Sequence, residues 1–476
     1  MKKNRNSFLL SGLICLVILL VRPGNILLAA ETGTLEEAVA WGLTHSTDTL
    51  SLEEKIAQIQ RELAKIETNL HWQVGLGAGL SANLTEENGG SKTGGTMGNT
   101  GKDQETASLT LTGTKLFRTG LALEPKLTLQ KDLKADDDPE LDFTFSVSQQ
   151  LYPWVPSALE QKYYETLNTL KKAKAELDWK VTALKIEWLE GYLQLLRLQE
   201  QLKVAEAKYT LAADDFSLTQ KRQEMGEAGE GQVLAARISL KQAEYEWKQA
   251  QNNFTTAKRE WLLALGLPAD YPIILDEDDA YFRQLKEEVN ALVVREEDPA
   301  TLFARVEAAH YQLAAKRIDQ EQLEQLWAWS QASYQPKVTT GGSYDTTSKK
   351  LSLNLNLSYQ LWDGGAKQLA AEEHEAQRAA LEREIQNLRA SLETELYNRL
   401  HTQELAELKV EEKRMALEKA QLEREVYRRQ REAGFLSEKD WTNKELELTN
   451  AEIGYKSAQD QAFVNKLRLL QLIGML

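Results

Sequence analysis

Proline placement constrains this chain more than any other feature. None of its nine prolines lies between Pro156 and Pro268, and none follows Pro336. Proline deletes a ladder hydrogen bond and clashes with the preceding turn, so both stretches are free to form very long helices. Their apolar residues agree. Val181, Leu184, Trp188, Gly191, Leu195, Leu198 and Leu202 step by three and four, the seam along which long helices pack. Leu381, Ile385, Leu388 and Leu392 repeat the rhythm later. Start signals are in place too. Thr34 with Glu37 and Ser157 with Glu160 read as capping boxes, and Asp298-Pro299 as a cap followed by a first-turn proline.

Two regions break the helical period. Leu351, Leu353, Leu355 and Leu357 alternate with Ser352, Asn354, Asn356 and Ser358, a period of two that predicts strand. Leu141, Phe143, Phe145 and Val147 do the same against Asp142, Thr144 and Ser146. Further strands are expected at 73–84, 106–115, 121–130 and 337–344. The alternate face is small and polar, which suits a wall between lipid and a wet lumen, although a half-buried soluble strand alternates in the same way. Trp72, Trp154, Tyr334 and Trp362 stand at the four junctions of predicted helix and sheet. Trp and Tyr gather at membrane interfaces because the ring prefers the headgroup layer while its polar tip stays wet. Core packing is the plain alternative for any one of them.

The chain also repeats itself. Without gaps, Glu224 matches Glu432, Gly226 matches Gly434 and Leu240 matches Leu448; the run continues through Leu262/Leu470 to Gly266/Gly474. Leu141, Ser148, Gln150 and Leu151 match Leu351, Ser358, Gln360 and Leu361. The expected organisation is a signal peptide over 1–30 and a first repeat over 31–268. That repeat holds a helix at 34–70, strands within 73–152 and a helical hairpin at 157–265. A linker at 269–297 leads to a second repeat over 298–476, with a helix at 299–332, strands at 337–361 and a hairpin at 365–474.

Lys2, Lys3 and Arg5, the apolar run Phe8–Val21, and Leu28-Ala29-Ala30 have the order of an export signal. The single cysteine, Cys15, falls inside it, so a processed chain has no thiol for disulfide or metal chemistry. Beyond it no run of about 20 apolar residues offers a spanning helix, but strands that close into a barrel also cross membranes. The net charge of −15, from 72 acidic and 57 basic residues, argues against nucleic acid as a partner. The five histidines are scattered, and Glu372-Glu373-His374-Glu375 reads as a solvated helix face. There is no G-x-S-x-G, no phosphate-cradling loop before a helix and no Cys–His pair. The expectation is a chain that is not an enzyme and needs no cofactor or metal.

Together these residues resemble the TolC-type outer-membrane efflux family, across essentially the whole chain after the signal. The pieces are Leu35-Glu36-Glu37-Ala38 opening the first helix and the strand-to-helix passage Leu361-Trp362-Asp363-Gly364-Gly365. Glu432-Ala433-Gly434-Phe435-Leu436-Ser437 precedes a long helix, and the halves end in Leu265-Gly266-Leu267-Pro268 and Leu472-Ile473-Gly474. The resemblance implies a mainly α protein with a membrane β-barrel, its duplicated units forming a barrel and a helical periplasmic tunnel as a homotrimer. It implies a passive outer-membrane duct of a tripartite efflux or type I secretion system, partnered by a periplasmic adaptor (membrane fusion) protein and an inner-membrane pump. Ser157 to Gly226 is about 70 residues, roughly 100 Å as helix, a periplasm-scale length. One chain has too few strands to close a barrel, and open edges cannot face lipid. The common family arrangement has two strands per half, whereas 73–152 has room for four. The added hairpin, turning at Phe117–Gly120, either widens the barrel or stands above it. Residues 85–105 and Asp136–Asp138 read as outer loops.

The resemblance further implies that the turns between long helices form the periplasmic mouth and adaptor contact. These are Met225, Gly226, Glu227 and Gly229 in the first half, and Ala433, Gly434, Phe435, Leu436 and Ser437 in the second. An acidic ring narrows the mouth in the family. Asp440 holds the matching position here, but Asn443 stands where a second acid is common, and Gln232 occupies the first-half equivalent. Arg431, with Arg428 and Arg429, is placed to pair across the mouth. Ser437 and Asp440 also have capping-box spacing, so Asp440 has a purely structural alternative. The competing reading of the whole chain is an exported coiled-coil spacer or tether without channel activity.

Overall fold

The computed structural model describes residues 33–83, 104–133, 138–292 and 298–476. The export signal, loop residues 85–103 and Asp136-Asp137 lie outside the described residues. The elements in chain order are α1 (Leu35–His45), α2 (Thr47–Thr68), β1 (Gln73–Asn83), β2 (Gln104–Leu116), β3 (Ala122–Asp132), β4 (Glu140–Tyr152), α3 (Ala158–Glu224) and α4 (Glu230–Ala264). There follow α5 (Ala280–Ala291), α6 (Pro299–Ala309), α7 (Tyr311–Gln331), β5 (Lys337–Asp345), β6 (Lys350–Ser358), α8 (Ala366–Glu432) and α9 (Glu438–Leu472). The proline-free stretches are the long helices. α3 and α8 have 67 residues each, and α4 and α9 have 35 each, at the 208-residue spacing of the sequence matches. At 1.5 Å per residue the longer pair is about 100 Å.

Two compact units share α3, α8 and α9. The first comprises residues 33–46, 188–292 and 417–457. Its core is the middle of the seam: Trp188, Tyr192, Leu193 and Leu195 are buried with Leu35, Leu262, Leu265 and Val289. Gly191 interrupts that seam because the Trp261 ring lies on it; a Cβ there would meet the ring at 2.5 Å. Trp261 Nε1 donates to the Trp188 carbonyl at 2.7 Å, which keeps the buried indole satisfied. The Thr34–Glu37 capping box is present on α1.

The second unit comprises residues 47–187, 298–416 and 458–476. Its helical core includes Leu302, Val306, Leu396, Leu467, Leu470 and Ile473. Its sheet is one antiparallel meander, β1-β2-β3-β4-β5-β6, so the four strands of the first half and the two of the second form a single surface with β1 and β6 at its edges. The hairpin turning at Phe117–Gly120 is therefore part of that sheet, and Gln104 and Glu105 belong to β2 rather than to the loop before it.

Three other boundaries differ from expectation. The helix at 34–70 is two helices broken at Ser46, and the helix at 299–332 is broken at His310; both residues are extended and buried. The reason is tertiary. Gly266 (φ +71) closes against the His45 carbonyl, where a Cβ would stand 2.5 Å from the oxygen, and Gly474 (φ +70) abuts Ala309 in the same way. Each hairpin thus ends against the last residue of its opening helix, and a straight helix would collide with it. The linker at 269–297 contains α5, capped by Asp279, which accepts from the amides of Tyr281 and Phe282.

Candidate functional site

Register decides what each face of the sheet presents. Leu76 pairs Leu111, Leu111 pairs Leu127, and Leu127 pairs Phe143. Phe145 pairs Tyr344, and Tyr344 pairs Leu351. Partners across an antiparallel ladder share a face, so the apolar set is continuous from β1 to β6. Strands ~4.8 Å apart and about 30 Å long give a face on the order of 700 Å². Soluble monomers rarely expose more than a few hundred. Val74, Leu76 and Leu80 on β1 and Leu351, Leu353, Leu355 and Leu357 on β6 are among its most exposed members, at 64–81%.

The opposite face carries Gly75, Gly77 and Gly79 on β1, Thr110 and Thr112 on β2, Ser146 and Ser148 on β4, and Asn354 and Asn356 on β6. It also carries charge within the strands. Lys126 pairs Thr112 and Thr144, and Glu124 pairs Ser146. A basic residue facing lipid near the bilayer midplane costs ~2–4 kcal/mol, so if either face meets lipid, it is the leucine face. Pro125, with no amide to donate, leaves a gap in the β2–β3 ladder, and Gly113 lies against its ring.

The junction aromatics stand where the chain enters and leaves the sheet. Trp72, Trp154 and Trp362 are exposed at 52%, 75% and 85%. Tyr334 is half-buried, its hydroxyl reaching the Ala366 carbonyl at 3.4 Å. Sequence reasoning missed three more at the same end, all exposed: Phe117 in the β2–β3 turn, Tyr152 and Tyr359. Pairing of Thr114 with Gln73 and of Leu116 with Ala122 puts that turn level with Trp72. Beyond β6, Asp363 accepts from the amides of Gly365 and Lys367 at 3.0 Å and starts α8. These amide bonds hold its carboxyl below the usual carboxylate range.

The tips belong to the first unit. At each, the long helix ends in a glycine of positive φ, Gly226 (+79) or Gly434 (+78), with open space around its Cα. The backbone bonds match: Glu227 N to the Arg222 carbonyl at 2.8 Å, and Phe435 N to the Gln430 carbonyl at 2.9 Å. This is the paired-bond C-cap that glycine permits. Met225 and Phe435 project at 66% and 86% exposure, while Leu436 is half-buried and Ala433 and Ser437 are exposed. Gln232 accepts from the Gly229 amide at 3.1 Å. Asp440 accepts from the Ser437 hydroxyl at 2.6 Å, and that hydroxyl accepts from the Asp440 amide at 3.1 Å. Of the candidate mouth residues, Gln232 and Asp440 thus make helix-start bonds. Asn443 is half-buried one turn further on. Arg431 pairs with Glu438 at 2.8 Å and lies over the Trp441 ring, whose centroid Arg424 also approaches. Lys439 reaches Asp215 of α3 at 2.8 Å, tying the second hairpin to the first.

A second charged cluster in this unit had no sequence signature. Arg197 on α3, its side chain 7% exposed, bonds Glu200 at 2.6 Å and Glu277 at 2.9 Å; Lys456 on α9 bonds the same two at 3.0 and 2.5 Å. His374, expected on a solvated face, is instead packed, its side chain 11% exposed and stacked on Trp327. Among the described residues no group of His, Cys, Asp or Glu is arranged to hold a metal, and no helix is long and apolar enough to cross a membrane.

A six-stranded antiparallel sheet in a chain with two pairs of long helices of matched length has counterparts among solved structures. The outer membrane protein VceC of Vibrio cholerae aligns at TM-score 0.61 and 15% identity, over 92% of this chain and 96% of its own. This is the TolC-type fold. The Campylobacter jejuni outer membrane channel CmeC aligns at 0.64 and 12%, over 93% and 85% of the two chains. The Neisseria gonorrhoeae outer membrane channel MtrE aligns at 0.61 and 12%, over 92% and 88%. No family model and no curated protein matches the sequence. In the TolC-type fold the strands make a β-barrel and the long helices a tunnel. The expected mainly α class, with one antiparallel sheet in the arrangement of the TolC-type fold, is the one found.

Proposed function

We propose that this chain is an outer-membrane channel subunit, a passive export duct that works as a homotrimer in contact with a periplasmic adaptor protein and an inner-membrane pump. One observation carries the reading. A single sheet presents a continuous leucine face on one side and a Thr/Ser/Gly/Asn face with Glu124 and Lys126 on the other, and among the described residues no strand pairs with either of its edges. Water penalises the first face and lipid penalises the second. Lipid also forbids open edges. A barrel shared between copies satisfies all three, with aromatics at its rim. The likeness to solved outer membrane channels supports this. A coiled-coil tether has no use for such a face.

The tips are the adaptor contact in this reading. Phe435 and Met225 are the apolar anchors, and the Gly226 and Gly434 caps fix the turn that displays them. Fractionation and light scattering test the whole. The protein is expected to stay in outer membrane through high salt and to emerge in mild detergent as three chains per particle. Release by salt as a monodisperse monomer contradicts the proposal.

A further inference from the structure

The β2–β3 hairpin is built like the rest of the sheet. All eleven residues of β1 pair with β2, and the β3–β4 ladder runs unbroken from Ala122/Ser148 to Gln130/Glu140. Leu109, Leu111, Leu127 and Leu129 continue the apolar face through the hairpin, and Thr110, Thr112, Lys126 and Thr128 continue the polar one. The six strands have 9–13 residues, which is the length a tilted strand needs to cross a bilayer, about 9–11 residues. A hairpin standing clear of the bilayer has no need of a lipid-compatible face in register with the wall.

The two edges are also complementary. Six strands in a meander leave β1 and β6 running in opposite directions. Copies arranged around an axis therefore place β1 of one beside β6 of the next in antiparallel sense, and the up-and-down order continues across the joint. Both edge strands carry aliphatic residues on one face and Gly, Ser or Asn on the other. The seam thus keeps the leucine face outward and small polar groups inward, with Lys350 at the start of β6 as the charged residue of the two edge strands.

Resting on the trimeric reading above, we infer that each chain contributes all six strands to the membrane wall, β1 pairing with β6 of the next copy, so that three chains close a barrel of eighteen strands. Spaced ~4.8 Å apart and tilted by about 40°, eighteen strands enclose a backbone diameter of roughly 35 Å. Twelve would give about 24 Å by the same geometry. Barrels of 16–18 strands hold an aqueous channel rather than a packed interior. The wall then sets no size limit on small-molecule cargo. Its lumen is lined by hydroxyls, amides and glycine backbone, with Glu124 and Lys126 of β3 as mid-strand charges.

The one cysteine of the sequence lies in the expected export signal, so introduced thiols report cleanly. Chains carrying Ala78→Cys with Leu355→Cys or Leu353→Cys, and Gly77→Cys with Asn354→Cys or Asn356→Cys, are to be oxidised in outer-membrane vesicles and run on denaturing gels. At least one pair should give covalent dimers and trimers, which neither single variant gives. In parallel, a fluorophore on Leu127→Cys should be quenched by brominated lipid tails as strongly as one on Leu355→Cys. Cross-linking with an unquenched Leu127 label puts the hairpin outside the wall and overturns the inference while the trimeric duct stands. A trimer in which no β1–β6 pair cross-links overturns the seam. A monomer overturns the duct itself.

Discussion

Replacing Arg197 by Met keeps an apolar stem of similar length and deletes the guanidinium that binds Glu200 and Glu277 at 2.6 and 2.9 Å. The two carboxylates then keep their pairs with Lys456 of α9. Removing one partner of a buried pair costs ~3–5 kcal/mol. Glu277 is 43% exposed and Lys456 remains, so solvent and the second cation reduce the figure, and about 2 kcal/mol is expected. The segment 273–279 is held by this cluster and by the Tyr192 hydroxyl, which donates to the Asp276 carbonyl and accepts from its amide. Local opening there is the right readout, by hydrogen exchange with mass spectrometry. A loss of about 2 kcal/mol speeds exchange of those amides roughly thirtyfold. Glu277→Gln should give a similar loss, and the double variant should fall short of the sum.

The pH dependence has a definite sign. Burial pushes the Glu277 carboxyl up, but hydrogen bonds from Lys456 and Arg197 outweigh it and hold the pKa below the usual carboxylate value. A depressed folded pKa gives stability that is full above the unfolded pKa, about 4.3, and lost as pH falls through the folded one. Protection of 273–279 should therefore hold at neutral pH, fall below about pH 4.5, and lose that dependence in Glu277→Gln. Exchange in Arg197→Met within a factor of two of wild type would refute the claim that this cluster secures the linker to α3 and α9.

Three further outcomes follow from the same geometry. Leu127→Arg, on the leucine face, should destabilise the membrane-embedded protein by ~2–4 kcal/mol per copy, while Thr128→Arg on the next residue should be nearly neutral; denaturant titration in vesicles separates them. Gly434→Pro should abolish export in a transport assay without lowering trimer yield, because it disrupts the positive-φ cap that displays Phe435. Asp440→Asn keeps a capping side chain but no charge, so wild-type selectivity and cation block in bilayer recordings would reduce Asp440 to a helix cap, whereas weaker cation block would place it in an acidic mouth.

Proline spacing, period-two alternation and the matched glycines made the long helices, the strands and the tips readable, because each is a local rule written in consecutive residues. The helix breaks at Ser46 and His310 were not readable. The apolar rhythm runs through them, and the obstruction comes from Gly266 and Gly474, more than 160 residues away. α5 was missed although Asp279, Phe282 and Val289 signalled it, because its charged residues resemble a linker. The Arg197–Glu277 and Lys456–Glu200 pairs join common residue types 80 and 256 positions apart, and nothing in composition distinguishes them from solvated charge. Phe117 was read only as a turn residue; the register alone brings it level with Trp72.

Ion conduction across a lipid bilayer tests the central claim most directly. Purified protein, shown by flotation to associate with lipid, is added to a planar membrane and current is recorded under fixed voltage. A shared barrel with a hydroxyl-lined, water-filled interior predicts discrete, reproducible current steps that scale linearly with voltage. Lipid-associated protein that leaves the membrane as silent as bare lipid would contradict the account.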